Sequence, residues 1–392
     1  MKKDLLLFNG LIVTENEILE NHSIVIKDGI ISSILLNDKI INPHNFEIIN
    51  CDNKYILPGL IDIHSDSIEK IIVPRKGVKF GLELALHEMD QQLPHQGITT
   101  IYHSLSMAET TICNNIRTIT PSDIFKLCEL LNNTRNLLVR HKIHVRLELN
   151  TINVYKELIN YIDKGIIHEL SFMDHTPGQG QYKDILMFEK VITQQYGNIS
   201  KGDREQIIKI CKEKEKLSYD KLLFLISLSN EKNIPMAYHD VESNEQVDWM
   251  VSNNIKICEF PLNSTVSEYA LLNGLFCVVG APNVILGKSH YNNASAIELL
   301  SNNRANILSS DYFSTSLLQA IFKLYKEVNL PLNTSVNFAT LNPAKALGIS
   351  DKYGSIKENK TADIIIVDTY GNIPKVIMTL VNGSVKYFAK FS

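Results

Sequence analysis

The chain of 392 residues is 44% hydrophobic and 21% charged, too long for one small domain and ordinary in composition for a globular enzyme. Its formal net charge of -4 excludes a nucleic-acid binder that works by bulk positive charge, while leaving room for a local basic pocket around an anionic ligand. No apolar run approaches membrane-spanning length, so neither nucleic acid nor membrane is an expected partner.

The first residues, MKKDLLLFNGLIV, imitate a secretion leader, but Asp4 and Asn9 interrupt the apolar stretch and no small-residue cleavage site follows. A cytoplasmic location is expected. Residues 4–50 then alternate as short strands around turn signals: Asn9-Gly10 between two apolar runs and Asp28-Gly29 between two more, both hairpin signatures. The C-terminal end repeats the style, with a strand over 362–367 and a hairpin at Asn382-Gly383. The two ends are expected to pair into one small β-sandwich domain, residues 1–55 with 355–392.

Between them, residues 56–354 alternate short β-rich runs with longer helical stretches, the pattern of βα units and a parallel sheet. Strands are expected at 60–64, 99–103, 144–150, 169–173, 236–239, 257–261, 276–281 and 307–310, with helices over 121–135, 154–164 and 201–233. Eight such units predict an α/β fold, a (β/α)8 TIM-type barrel. The highly charged 201–221 reads as a solvated helix face, and the apolar 317–324 as an exposed helix face that could serve a homodimer. The six cysteines, Cys51, Cys113, Cys128, Cys211, Cys258 and Cys277, form no Cys-x-x-Cys or other ligand spacing and are expected to be reduced and mostly buried.

Active groups of such a barrel sit at the C-terminal ends of its strands. Here those ends supply His64 and Asp66 on the first strand, Glu148 on the third, His175 after the fourth, His239 with Asp240 on the fifth and Asp311 after the eighth. One histidine at a strand end is usually structural; several, joined by carboxylates, describe a metal centre. The expected ligand set is His64, Asp66, Glu148, His175, His239 and Asp311, holding two divalent ions. Glu148 would lie between the ions, His64, Asp66 and Asp311 would hold one, and His175 and His239 the other. Imidazole with carboxylate suits zinc, manganese, iron or nickel alike. Asp311 also suits the catalytic general base. Ser65 and Ser67 have no partners for a nucleophilic triad.

Particular segments carry a resemblance. Leu57-Pro58-Gly59-Leu60-Ile61-Asp62 followed by His64-Ser65-Asp66 resembles the first barrel strand of the amidohydrolase superfamily, with His-x-Asp where His-x-His is usual. Met173-Asp174-His175-Thr176-Pro177-Gly178-Gln179, Asp66-Ser67-Ile68-Glu69-Lys70 with Pro74-Arg75, Gly280-Ala281-Pro282-Asn283 and Leu308-Ser309-Ser310-Asp311-Tyr312 together resemble the PhnM family, the phosphonate-metabolism diphosphatases of the carbon–phosphorus lyase pathway. The resemblance runs from about residue 5 to about residue 385. It implies hydrolysis of a small-molecule triphosphate, alpha-D-ribose 1-methylphosphonate 5-triphosphate, to the 5-phosphate and pyrophosphate. Three phosphates call for cations and polar donors, and the candidates are Lys70, Arg75, Gln179, Lys288, Ser289 and His290. The competing activity is hydrolysis of a cyclic amide or amine C–N bond, for which metal-activated water serves equally well. A non-catalytic scaffold would be expected to have lost ligands, and this chain has a candidate for every metal position.

Overall fold

Eight strands join, in chain order, into one parallel sheet. In the computed structural model, which describes residues 4–40, 45–75, 77–108, 119–182, 184–287 and 295–390, they are Leu60–Ser65, Ile98–Met107, Arg140–Glu148, Glu169–Met173, Met236–His239, Ile257–Glu259, Phe276–Gly280 and Ile307–Ser309. A parallel bridge between Ser65 and Asp311 joins the last strand to the first. The Asp66 amide donates to Asp311 O at 3.0 Å and the Asp311 amide to His64 O at 2.9 Å. The closed sheet is the expected (β/α)8 barrel. Its strands are buried on both faces, which is why they read as nearly unbroken apolar runs. Ile61, Ile63, Tyr102, Ala237, Ile257, Val278 and Ile307 fill the interior, while Leu60, Leu170, Met236, Cys258 and Leu308 pack outward against the helices.

The helix expected over 121–135 is Pro121–Asn133, started by a capping box in which Thr120 and Asp123 satisfy each other's amides. The stretch 201–233 is not one helix but two, Lys201–Glu213 and Tyr219–Glu231. The break is held by the barrel: Leu217 N donates to Leu149 O at 2.7 Å, and Lys216 Nζ reaches Asp174 Oδ2 at 2.7 Å. The expectation of an exposed apolar face at 317–324 is corrected. Leu317, Leu318, Ile321, Phe322 and Leu324 are buried, because helix Ser316–Lys326 lies between helix Ala281–Leu286 and strand Ile373–Val381. That segment supplies no dimer surface. Cys51, Cys128, Cys258 and Cys277 are free and buried, whereas Cys211, buried too, is disulfide-bonded; no sequence spacing marks that bond. Cys113 lies outside the described residues.

Both chain ends build the second unit. One sheet has the order Ile30–Leu36, His22–Lys27, Asp4–Phe8, Phe46–Asn50; the other has the order Ser384–Phe388, Ile373–Val381, Ile364–Tyr370, Tyr55–Pro58, Leu11–Val13, Ile18–Leu19. Leu5, Leu7, Ile24, Ile26 and Ile31 from the first pack with Ile12, Ile56, Ile364, Ile366 and Leu380 from the second, making a β-sandwich. Asp28-Gly29 and Asn382-Gly383 are hairpin turns with positive φ at both residues, as expected. Asn9-Gly10 is not a hairpin. The strands before and after it belong to different sheets, so this turn is the corner between them. Gly59 joins sandwich to barrel where a Cβ would come within 2.3 Å of Thr99, so only glycine fits. Arg140 on the third barrel strand pairs with Asp363 beside it and stacks 4.2 Å from the Tyr353 ring.

Candidate metal centre

The pairing register of the first barrel strand shifts between Asp62 and Ser65. Such an irregularity lets neighbouring residues face the same way. Ile63 packs in the barrel interior and His64, next in sequence, also turns inward, its Nδ1 lying 2.6 Å from Glu259 Oε1. Glu259 ends the sixth strand. His144 on the third strand completes this fully buried group, its ring 5.2 Å from that of His64. Both nitrogens of His144 are engaged, Nδ1 with Ile63 O at 3.3 Å and Nε2 with Ser171 Oγ at 2.9 Å. Burial holds His144 well below the usual histidine range, at about 3, so its imidazole is neutral. Glu169, on the neighbouring strand, is pushed well above the usual carboxylate range by burial and then by the negative charge of Glu259.

A second group lies nearer the mouth, formed by His175, His239 and Asp240, whose candidate ligand atoms lie within 4.8 Å of one another. Asp240 Oδ2 is 3.3 Å from His175 Nε2 and 3.2 Å from His239 Nδ1. Glu148 holds His175 from behind: Oε1 accepts from the His175 amide at 2.8 Å and Oε2 pairs with Nδ1 at 2.7 Å. Where sequence reasoning places Glu148 between two ions, both its oxygens engage His175. That bond turns Nε2 toward Asp240, the usual task of a carboxylate behind a ligating histidine. Burial alone would lower His175, but Glu148 and Asp240 outweigh it and raise it to about 9. Burial would raise Asp240, and the His239 and His175 imidazoles instead hold it well below the usual carboxylate range.

Asp66 and Asp311 are neighbours, the Asp66 amide donating to Asp311 O at 3.0 Å. Burial first, and then the Asp66 charge, push Asp311 up to about 7, opposed by Arg146, His239 and Lys70. Arg146 is buried, donates from Nε to Ser104 O at 3.2 Å, and brings Nη2 to 4.0 Å from Asp66 Oδ2. An Arg146–Glu148 pair, the bland reading of these strand neighbours, does not form among the described ion pairs. Lys70 donates to Tyr312 O at 2.8 Å and sits 4.4 Å over that ring. Arg75 and Gln179 are exposed. Lys288, Ser289 and His290 lie outside the described residues, as do Lys76 and Lys183.

These residues fit a divalent cation. His175 Nε2, His239 Nδ1, Asp240 Oδ2 and Asp66 Oδ1 are buried atoms with no hydrogen-bond partner, and the first three converge. Imidazole nitrogens and carboxylate oxygens are the donors zinc, manganese, iron and nickel accept. A cation bound there would take the place of the proton that Glu148 and Asp240 favour on His175. Sequence reasoning found His175 and His239 but did not name Asp240 or Glu259 as ligands. Asp240, Phe260 and Asp311, each just past a barrel strand, have φ of 57°, 51° and 54°. Left-handed backbone at these points redirects the chain, so strand alternation does not tell where the next side chain goes. For Glu259 the signal was present, a carboxylate at the end of strand six.

Histidines and carboxylates gathered at the mouth of a (β/α)8 barrel, with a β-sandwich built from both chain ends, define the class of the metal-dependent hydrolase barrels. The sequence profile described as the amidohydrolase family matches residues 142–388, and the chain belongs to that family, a superfamily of hydrolases that typically bind divalent metal. Among proteins of known activity, it is 26% identical over 378 residues to the alpha-D-ribose 1-methylphosphonate 5-triphosphate diphosphatase of Escherichia coli strain K12, covering 93% of this chain and 95% of that one. It is 24% identical over 386 residues to the 5-methylthioadenosine/S-adenosylhomocysteine deaminase of Clostridium tetani, covering 93% and 85%. Among solved structures, molinate hydrolase superposes with a TM-score of 0.67 at 12% identity over 98% of this chain and 94% of that one, a likeness of fold. No helix among the described residues is long and apolar enough to cross a membrane.

Proposed function

We propose that the protein hydrolyses the α–β phosphoanhydride of alpha-D-ribose 1-methylphosphonate 5-triphosphate, releasing the 5-phosphate and pyrophosphate in phosphonate catabolism. The observation that carries this is the similarity to the Escherichia coli diphosphatase over 93% of this chain and 95% of that one. The cations at the barrel mouth support it: Arg146 beside Asp66, Lys70 against Tyr312 and Lys216 on Asp174.

In this reading His175, His239 and Asp240 would hold one divalent ion, and His64, Asp66 and Asp311 a second. The ions supply Lewis acidity and water of near-neutral pKa. Glu148 keeps the His175 ring in its ligating orientation. Asp311 takes the proton from the water that attacks the α-phosphorus. The bond from that phosphorus to the bridging oxygen breaks, and pyrophosphate leaves with the oxygen. Arg146, Lys70 and Lys216 are the cations that would offset the charge on the α-phosphoryl oxygens and the leaving pyrophosphate. The dimer and the cytoplasmic location remain parts of this proposal.

Similarity to the Clostridium tetani deaminase favours a second reading, attack on a C–N bond. Incubating the protein with the ribose triphosphate, nucleoside triphosphates and dihydropyrimidines, followed by phosphorus NMR and ring absorbance, separates the two. Pyrophosphate release is expected; ring opening or deamination without it overturns the proposal.

A further inference from the structure

Tyr238 precedes His239 on the fifth barrel strand, so its side chain leaves the opposite face of the strand from the metal group. It meets Trp249 edge-on, with ring centroids 5.8 Å apart and planes at 76°. Tyr219 joins them through its hydroxyl, which accepts from the Trp249 indole N–H at 3.4 Å. Tyr219 opens helix Tyr219–Glu231 and Trp249 lies on helix Asn244–Ser252, so this bond ties two helices around one space. The three rings, with Leu222, Glu245 and Gln246, line a cavity of about 310 Å³. That is at the lower end of the ~300–1,000 Å³ of small-molecule sites.

The lining has one charge, the Glu245 carboxylate, and no cation. Nearby lysines are engaged elsewhere: Lys221 Nζ lies 5.5 Å from the Tyr155 ring and Lys216 is paired with Asp174. Gln246 Oε1 accepts from the Glu242 amide at 2.7 Å, which fixes the amide side chain in the wall.

We propose that this cavity binds an organic cation of the alkylammonium class, such as a trimethylammonium group. The faces of aromatic rings carry negative electrostatic potential, and tryptophan attracts cations most strongly. Glu245 adds a full negative charge on the same wall. Ring shape selects further: near-perpendicular rings make a corner that embraces a tetrahedral cation, whereas a planar base needs parallel faces on either side. A phosphate would meet ring faces and a carboxylate, both repulsive. The cavity therefore complements the anion-accepting barrel mouth instead of extending it, and the proposal does not depend on which reaction the barrel catalyses.

Trp249 is the single tryptophan of the chain, so its fluorescence reports this cavity alone. The experiment titrates the full-length protein with choline chloride, with sodium chloride as the salt control and with 3,3-dimethylbutan-1-ol, the uncharged isostere of choline. Binding is followed by Trp249 emission and by calorimetry. Choline is expected to give a saturable change with a midpoint on the order of millimolar, and the isostere to bind at least about 3-fold more weakly. Glu245→Gln and Tyr219→Leu, both keeping Trp249, are expected to weaken choline binding about 3- to 10-fold. Their thermal melts, expected to match the parent protein, verify that they fold. Absence of saturation, equal binding of the isostere, or tighter binding of adenine than of choline would overturn the proposal.

Discussion

Two histidine–carboxylate groups share the upper half of the barrel, and they are finished differently. In the inner one, His64 is locked to Glu259 and His144 uses both nitrogens, all in full burial. In the outer one, Asp240 meets His175 and His239 at 3.2–3.3 Å without satisfying either by a hydrogen bond, at the edge of solvent. The same residue types thus form a fully buried cluster in one place and a cluster at the edge of solvent in the other, and in both the candidate ligand atoms lie within 4.8 Å of one another. What separates them is depth of burial and the two bonds that His144 makes, which composition and spacing do not state.

The largest effect that would test this contrast comes from the outer group. His239→Ala and Asp240→Ala should each lose bound transition metal, read by inductively coupled plasma mass spectrometry, and abolish turnover. Metal content unchanged in both variants would overturn the ligand role of His239 and Asp240. Asp311→Asn is expected to lower kcat by roughly 10²–10⁴-fold, the worth of a general base, with KM nearly unchanged. A parallel loss of substrate binding would make Asp311 a holder of substrate instead.

Breaking the inner pair should register first as stability. Glu259→Ala removes the buried carboxylate paired with His64 and is expected to cost ~3–5 kcal/mol in urea unfolding. Metal loss with no stability change would show that Glu259 is itself a ligand beside His64. Glu148→Gln, acting through His175, should lower metal affinity about 10–100-fold.

A third imidazole–carboxylate set gives the smallest effect. Asp90 accepts from the Leu138 and Val139 amides and from His141, which in turn contacts His103 at 2.8 Å. Burial would raise Asp90, but His141 and those amides outweigh it and hold it below its usual value. A depressed carboxyl contributes stability that is whole above the unfolded value near 3.9 and lost as pH falls through the native one. Acid titration of unfolding should therefore show a shallower decline below about pH 4 in Asp90→Asn than in the parent.

The barrel was legible because strands buried on both faces have a sequence signature of their own, and all eight were found near their observed positions. Helix endings were less so: the break at 214–218 depends on Leu217 and Lys216 finding partners at the barrel mouth. At the site, alternation led to Glu148 and His239, whereas His64 faces inward beside Ile63 only because the pairing register shifts there. It failed at Asp240, where a left-handed residue turns the chain after the strand ends. The Leu317–Leu324 segment shows the same limit in packing, since an apolar helix face reads alike whether solvent, a second copy or the sandwich covers it.

The route of the chain through the sandwich has a consequence for synthesis. Strand Tyr55–Pro58 pairs with Ile364–Tyr370, about 300 residues later. At ~5–20 residues per second, the early strands leave the ribosome roughly 15–60 s before their partner exists. Through that interval they offer unpaired edges and the apolar faces of Leu5, Ile12 and Ile56 to any other chain. The finished sandwich is a seal applied last, and the vulnerable species in the life of this protein is the nascent one.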